Sequence, residues 1–287
     1  MKKQFLLSLI ACGLRVVLGF VFFWQISQAL GLATLGEYLY VTAALGYFGT
    51  LMDFGFNLYV LNTGSRSVGD MRPLFLRLVL SKLILIVLSL TILAALYTVA
   101  FGEQGIVVTV VFFLVLVLQS FSVLLIQFFK SLGCYEPELS SALINGVLPV
   151  VALYIFHDDV SLVELGLLIL AVRLILILYQ LWVFLRLTVG QGWNVPGGLV
   201  CQLLSDVFYA IQGNFKYAIY SVLGAVFLSV DIVLMRFFLG PEDTAIYGTA
   251  MRVIVAAILL FEVLIGVFIP RLARSVSYTH LTLPTKA

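Results

Sequence analysis

Eight long apolar runs dominate this sequence and restrict what it can fold into. About 20 consecutive apolar residues cross the hydrocarbon core of a bilayer as a helix. The alternation over segments of about ten residues that is typical of membrane β-barrels is absent, and lipid offers no hydrogen-bond partner to an open strand. The sequence therefore predicts an all-α membrane protein, a polytopic bundle of about eight transmembrane helices. The runs cover residues 5–27, 37–62, 73–101, 106–129, 139–156, 161–185, 217–239 and 244–269.

Composition excludes a soluble protein and gives no sign of a cofactor. The 287 residues are 63% hydrophobic and 10% charged, whereas soluble proteins carry about 25% charged residues. A net charge of +2 is too small to indicate a nucleic-acid partner. Cys12, Cys134 and Cys201 have no metal-ligand or disulfide spacing, and His157 and His280 are too separated for a metal site. Without a Gly-rich phosphate loop, the sequence predicts no cofactor, no metal and no catalytic residue.

Basic residues lie on only one side of the predicted topology. The start of the chain and the even-numbered connections carry ten Lys and Arg residues, and the odd-numbered connections carry none. Cytoplasmic loops of membrane proteins are the ones enriched in Lys and Arg, so we predict a cytoplasmic N-terminus. The ten are Lys2, Lys3, Arg66, Arg72, Arg77, Lys130, Arg186, Lys216, Arg271 and Arg274.

A short motif occurs twice, each time between two apolar runs. Leu30-Gly31 is followed by Tyr38, and Leu239-Gly240 is followed by Tyr247 with the same spacing, 209 residues later. Internal repeats are typical of transporters whose two halves move about a central site. Chance is the alternative, because Leu, Gly and Tyr are all common in this chain.

The spacing of the runs predicts four segments. Residues 1–185 form a first lobe of six helices, and residues 217–275 form the first two helices of a second lobe. Between them, residues 186–216 contain the Gly- and Pro-rich GQGWNVPGG, which predicts a cytoplasmic linker. An amphipathic stretch suited to the membrane surface follows it. The tail, 276–287, is unlike the rest and is interpreted as translated sequencing-adapter read-through, with an ordinary cytoplasmic tail as the alternative.

Four stretches together resemble the Wzx-type polysaccharide flippases, which export O-antigen and exopolysaccharide units. They are ALGLATLGEYLY, LMDFGFN, SVDIVLMRFFLGPEDTAIYGTAMR and VFIPRLAR, in that order. The resemblance covers residues 1 to about 275 and implies membership of the multidrug/oligosaccharidyl-lipid/polysaccharide superfamily. Members of that superfamily have two six-helix lobes, so the chain is expected to be C-terminally truncated.

The resemblance implies a flippase rather than an enzyme. Its substrate would be a polyprenyl-diphosphate-linked oligosaccharide, such as an O-antigen or other surface polysaccharide unit. Transport would cross the bacterial cytoplasmic membrane by alternating access. The implied partners are the lipid-linked oligosaccharide, membrane lipid, H⁺ or Na⁺ as coupling ion, and other polysaccharide assembly proteins.

Three arginines lie within predicted spans: Arg15 and Arg173 in the middle of theirs, and Arg252 about two turns into its own. A charge at membrane depth costs about 2.5–3.5 kcal/mol on insertion scales, so each must face a cavity or a partner. Guanidinium groups bind phosphate through paired hydrogen bonds. We therefore predict a cationic cavity for the substrate diphosphate, with Lys82 as a further binding residue. The alternative is that each arginine pairs with an internal acid that fixes helix packing.

Three acids also lie within predicted spans: Asp231, Asp53 and Glu262. They are the candidates for a proton or sodium site that couples transport to an ion gradient. For Asp231 and Asp53 the alternative is a buried interhelical hydrogen bond beside small residues. Glu262 lies close to the cytoplasmic end of its span, where pairing with a basic loop residue is the alternative.

Other functions stay open at this stage. A multidrug or cation antiporter of the same superfamily would need acids to dominate the cavity, and a lipid II flippase would bind the same diphosphate. A membrane polysaccharide polymerase or ligase would need a sizeable outer loop, whereas the predicted outer connections are short.

Overall fold

The computed structural model describes residues 2–57, 59–60, 71–101, 105–155, 160–189 and 199–258. These residues form long helices and contain no strand, which confirms the all-α prediction. In chain order the helices are α1 (Lys2–Ala29), α2 (Leu32–Asp53), α3 (Met71–Ala100), α4 (Ile106–Ser131), α5 (Glu136–Ile155), α6 (Leu162–Leu187), α7 (Leu199–Phe238) and α8 (241–258).

Within the described residues, six helices are long and apolar enough to cross a membrane, as expected for a multi-pass membrane protein. Helix α2 lies where the sequence predicts the second span, but it is not among these six. It carries Glu37, Thr50 and Asp53, and ten of its residues are buried against other helices. A helix surrounded by protein needs no apolar outer surface, so its mean hydropathy can be lower than that of the six spans. The six spans are Leu6–Ala29, Leu74–Thr98, Ile106–Ser131, Glu136–Ile155, Leu162–Leu187 and Ser221–Phe238.

Two apolar clusters hold the bundle together. The larger one is centred on α2, where Leu39 and Leu45 pack with Phe112 of α4 and Leu165 of α6. The second is rich in aromatic rings: the Phe184 ring centroid lies 4.5 Å from that of Phe75 and 5.8 Å from that of Phe128, and other members are Phe56, Phe129, Leu78, Leu124 and Leu125. Aromatic pairs at such distances contribute about 0.5–1.5 kcal/mol each beyond the area they bury.

Both copies of the Leu-Gly motif form turns, and the turns lie at the same end of the bundle. The first joins α1 to α2 through Gly31, and the second joins α7 to α8 through Gly240. Gly240 has φ +95°, in the left-handed region that favours glycine. The first turn of α2 meets α8 so closely that a Cβ at Gly36 would overlap the carbonyl oxygen of Pro241.

The seventh predicted span continues the segment before it. The sequence predicts a surface segment within 186–216 and a span from 217, whereas α7 is one helix from Leu199 to Phe238. No proline interrupts these 40 residues, so the backbone hydrogen bonding can continue. At 1.5 Å per residue, α7 is about 60 Å long, twice the ~30 Å thickness of the hydrocarbon core.

Helices α1 and α5 pack together along much of their length, and Gly146 allows their close approach. A Cβ at Gly146 would lie 2.7 Å from the Cβ of Leu18 on α1, an atom that cannot move without the backbone. At Gly13, also on α1, no atom lies within 4 Å of the position that a Cβ would occupy. The two glycines therefore differ in the space available to a side chain.

We predict that Gly146→Ala lowers the free energy of unfolding by about 1–3 kcal/mol, because the added methyl group overpacks the α1–α5 contact. Gly13→Ala is the control, and it should leave stability unchanged or raise it by up to about 1 kcal/mol through helix propensity. Thermal unfolding of the two purified variants in detergent measures the difference. Equal unfolding temperatures for both variants would contradict the close contact at Gly146.

Candidate functional site

A cavity of about 560 Å³ opens among the helices, and Arg15, Arg173 and Arg252 all line it. They come from α1, α6 and α8, which are far apart in the sequence. The volume is within the range of about 300–1,000 Å³ that is usual for sites that bind small molecules. Most of the wall is apolar, with Thr42, Asn145 and Ser229 as polar members.

The cavity lies between the two copies of the repeat. Leu39 on α2 contacts Gly248 on α8, and a Cβ at Gly248 would lie 2.7 Å from Leu39 Cδ1. Residues 39 and 248 are 209 apart, the offset of the repeated motif. Contact between equivalent positions is what a two-fold relation between the copies would produce. Five pairs of residues that are 209 positions apart line the cavity. They are Gly19 and Leu228, Phe23 and Ile232, Leu39 and Gly248, Thr42 and Met251, and Ala43 and Arg252.

Arg173 brings an unsatisfied hydrogen-bond donor to the cavity. Its Nε is buried and has no hydrogen-bond partner among the described residues. Leaving a buried donor of a charged group unpaired costs at least about 1–3 kcal/mol. Arg173 lies on a mixed face of α6, on which Gly166 packs against Phe112 and Gln180 donates to Ser141 over 3.0 Å. The unpaired Nε marks a place where an anion would be stabilised.

Arg252 lies beside an aromatic ring. Its guanidinium carbon is 5.3 Å from the centroid of the Phe23 ring on α1, and the residue is exposed. A cation over a ring face gains about 0.5–1 kcal/mol at an exposed site. The contact therefore orients the guanidinium and leaves its N–H groups available for a ligand.

Arg15 is shared between the cavity and a buried acid. Its Nη2 donates to Oε1 of Glu138, near the start of α5. The same oxygen lies 2.9 Å from Lys130 Nζ, and Ser8 Oγ donates to the other carboxylate oxygen over 3.0 Å. Glu138 is 1% exposed, whereas the Arg15 side chain is 41% exposed. Arg15 therefore combines the two arrangements considered for the sequence: it lines the cavity and it pairs with an internal acid.

Lys82 does not line the cavity. It is fully buried and forms an ion pair with Asp53, and Ser120 Oγ donates to the same Asp53 oxygen over 2.6 Å. Lys82 Nζ also donates to the backbone oxygen of Ser120 over 3.1 Å. This network joins α2, α3 and α4, so the structure brings two sequence candidates of opposite charge into one interhelical contact.

The other acids lie away from the cavity wall or outside the described residues. Asp231 on α7 is exposed and accepts a hydrogen bond from Tyr247 on α8 over 2.9 Å. Glu262 lies outside the described residues. At the end of the bundle with the Leu-Gly turns, Arg236 Nη2 lies 2.7 Å from Glu37 Oε1 and connects α7 to α2.

The sequence prediction omits several residues of the site, among them Glu138, which holds Arg15, and Asn145, which lines the cavity. Both are on α5, the shortest predicted span. Their signal is a pair of polar residues on the same helical face, seven positions apart, in an otherwise apolar segment. Which helix that face meets is not readable from spacing.

A comparison with protein families gives one finding that bears on the whole cavity. A family model described as polysaccharide biosynthesis protein matches residues 1–276, a range that includes every residue of the cavity wall. No curated protein and no solved structure gives a significant match.

We predict that Asp53→Asn lowers the free energy of unfolding by about 3–5 kcal/mol, because Lys82 is left as a buried charge without its counter-ion. The double variant Asp53→Asn/Lys82→Met should regain most of this loss, since it removes both charges. Thermal unfolding in detergent is the measurement. A single variant as stable as the wild type would show that the ion pair does not stabilise the bundle.

Proposed function

The chain belongs to the polysaccharide biosynthesis protein family, the family of the Wzx-type flippases, and from that membership we propose a specific activity. The protein moves a polyprenyl-diphosphate-linked oligosaccharide from the inner to the outer leaflet of the bacterial cytoplasmic membrane. Its N-terminus lies in the cytoplasm, on the side where the basic connections are. The cavity described above receives the diphosphate headgroup.

The observation that carries this proposal is the charge of the cavity. Three arginines line it, and no Asp or Glu is among the described residues of its wall. A diphosphate that leaves water for the membrane interior loses its hydration and must be stabilised by fixed positive charge. Guanidinium groups supply that charge in a form that stays protonated and donates paired hydrogen bonds to phosphate.

Each arginine has a distinct part in the proposed site. Arg173 has an unpaired buried Nε, so a phosphate oxygen would satisfy it. Arg252, oriented by Phe23, can approach the diphosphate from α8. The amide of Asn145 and the hydroxyl of Thr42, which also line the cavity, suit the hydroxyl groups of the first sugar.

A multidrug or cation antiporter is the less suitable function. A cationic substrate would meet three positive side chains and no lining acid among the described residues. A lipid II flippase remains an alternative within the proposal, because its substrate presents the same diphosphate to the same arginines.

The position of the cavity between the repeated helix pairs supports a proposal of alternating access. Residues 1–185 would act as one lobe and residues from 217 onwards as part of a second, with the cavity at their interface. Only a ligand that binds the two states differently can drive such a change. We assign the coupling of H⁺ or Na⁺ to Asp231, because its carboxylate is exposed, whereas Asp53 is already paired with Lys82.

We predict that Arg173→Gln weakens binding of a polyprenyl diphosphate about tenfold to a hundredfold, because hydrogen bonds to a charged group contribute about 1.5–3 kcal/mol. Arg15→Ala/Arg173→Ala/Arg252→Ala should abolish surface glycan in cells that depend on this protein. Binding of geranylgeranyl diphosphate to the protein in nanodiscs and immunoblots of surface glycan are the two measurements.

The matched control is Arg186→Gln, at the end of the same helix as Arg173. Arg186 is exposed and stacks on Trp182, with its guanidinium carbon 3.8 Å from the ring centroid, and it does not line the cavity. Its removal should leave diphosphate binding and surface glycan unchanged. Normal glycan from the triple alanine variant would remove the proposed function.

A further inference from the structure

We propose that Glu138 is a positioning residue that holds Arg15 while the cavity is empty and gives it up to the diphosphate of the substrate. The proposal rests on the proposed function, since it takes the ligand to be a diphosphate. Glu138 would thus compete with the substrate for one of the three arginines. Family membership does not imply that a carboxylate competes with the substrate for an arginine, and Glu138 is not among the site residues predicted from the sequence.

The geometry makes Glu138 an internal substitute for a phosphate oxygen. Its carboxylate is 1% exposed and accepts from Arg15 and Lys130 at one oxygen and from Ser8 at the other. Arg15, in contrast, is 41% exposed and lines the cavity. The arginine can therefore reach a ligand in the cavity while the acid stays where it is.

Lys130 makes the exchange inexpensive. Removing one partner of a buried ion pair usually costs about 3–5 kcal/mol, because the other charge is left alone. Lys130 Nζ lies 2.9 Å from Glu138 Oε1 and Ser8 donates to Oε2. Neither contact involves Arg15, so both can persist when Arg15 turns to a ligand. Glu138 also lies in the first turn of α5, where the helix dipole stabilises a negative charge. The carboxylate thus keeps a counter-ion in both states.

The turn between α4 and α5 places Lys130 and Glu138 together. Cys134 N–H donates to the Phe129 carbonyl over 2.9 Å, and Gly133 N–H donates to the Lys130 carbonyl over 3.0 Å. With Gly133 at φ +74°, this is the Schellman pattern that ends a helix and reverses the chain. Lys130 is in the last turn of α4 and Glu138 in the first turn of α5, so a short connection brings the two charges into contact.

The competition matters for release as well as for binding. Three guanidinium groups around one diphosphate would hold it tightly in both states of a transporter, and tight binding in both states moves nothing. A carboxylate that recaptures Arg15 weakens the bound state and so speeds departure of the headgroup. Removing the carboxylate should therefore tighten binding and slow transport.

The test compares variants of the protein in nanodiscs, with geranylgeranyl diphosphate as the binding probe. Glu138→Gln should bind the probe about tenfold more tightly, because Arg15 loses a charge-assisted competitor, and should lower the maximal rate of export. The gain should disappear in Arg15→Gln/Glu138→Gln, since the effect passes through Arg15. Glu138→Asp should restore part of the wild-type affinity and rate.

The control is Glu136→Gln, which removes an exposed acid from the same first turn. Glu136 does not line the cavity, so its removal should change the affinity less than about twofold, as is usual for interactions at exposed positions. If Glu138→Gln does not fold, Lys130→Met tests the same idea. With Arg15 as the remaining cation on Glu138, the probe should bind about tenfold more weakly, although Lys130 does not line the cavity.

The outcomes distinguish failure of the role of Glu138 from failure of the proposed function. Unchanged or weaker binding by a folded Glu138→Gln variant overturns it, and so does a gain in affinity that persists without Arg15. Unchanged binding by Lys130→Met also overturns it. If the wild type binds no diphosphate at all, the proposed function fails first, and the role of Glu138 fails with it.

Discussion

The energetic cost of placing a charge in hydrocarbon governs where the ionised side chains of this bundle lie. An isolated charge at the centre of a bilayer costs several kcal/mol, and pairing or a polar cavity relieves that cost. Several ionised groups within the described helices follow this rule, whereas Asp231 is exposed and accepts a hydrogen bond from Tyr247. Lys82 is paired with Asp53, Arg236 with Glu37, and Arg15 with Glu138. Arg173 and Arg252 line the cavity, which is therefore where uncompensated positive charge collects.

The sequence predicts well which residues lie within membrane-spanning helices and poorly which side chains contact each other. Apolar length locates the helices, because the thickness of the hydrocarbon is a fixed requirement. The same reasoning places the three arginines at cavity depth. Partner choice is not predictable: Lys82 and Asp53 are each identified, but their pairing depends on how α2 and α3 are rotated about their axes, and hydrophobic periodicity is weak in helices that are apolar on most sides. The mean hydropathy of α2, lower than that of the six spans, likewise reflects its burial. An average over one helix contains no information about the helices that pack around it.

The repeat supplies a symmetric frame to which asymmetric charges have been added. Pairs of equivalent positions line the cavity, yet Arg252 is matched by Ala43 and Arg15 by Gly224. The Leu-Gly turn and the tyrosine that follows it are shared between the copies, Leu30-Gly31 with Tyr38 and Leu239-Gly240 with Tyr247. Charge is not shared. Each copy instead contributes one arginine at a different position, Arg15 on α1 and Arg252 on α8.

The uninterrupted length of α7 has a mechanical consequence. An α-helix resists bending, so a rod of 40 residues carries rotation at one end to the other as a lever. A tilt of about 10° about its Phe238 end would displace Leu199 by about 10 Å, given a length of about 60 Å. Leu228, Ser229 and Ile232 of α7 line the cavity, and the Leu199 end of the rod precedes the apolar span Ser221–Phe238. A force applied at the Leu199 end would therefore act on the cavity through a long lever arm.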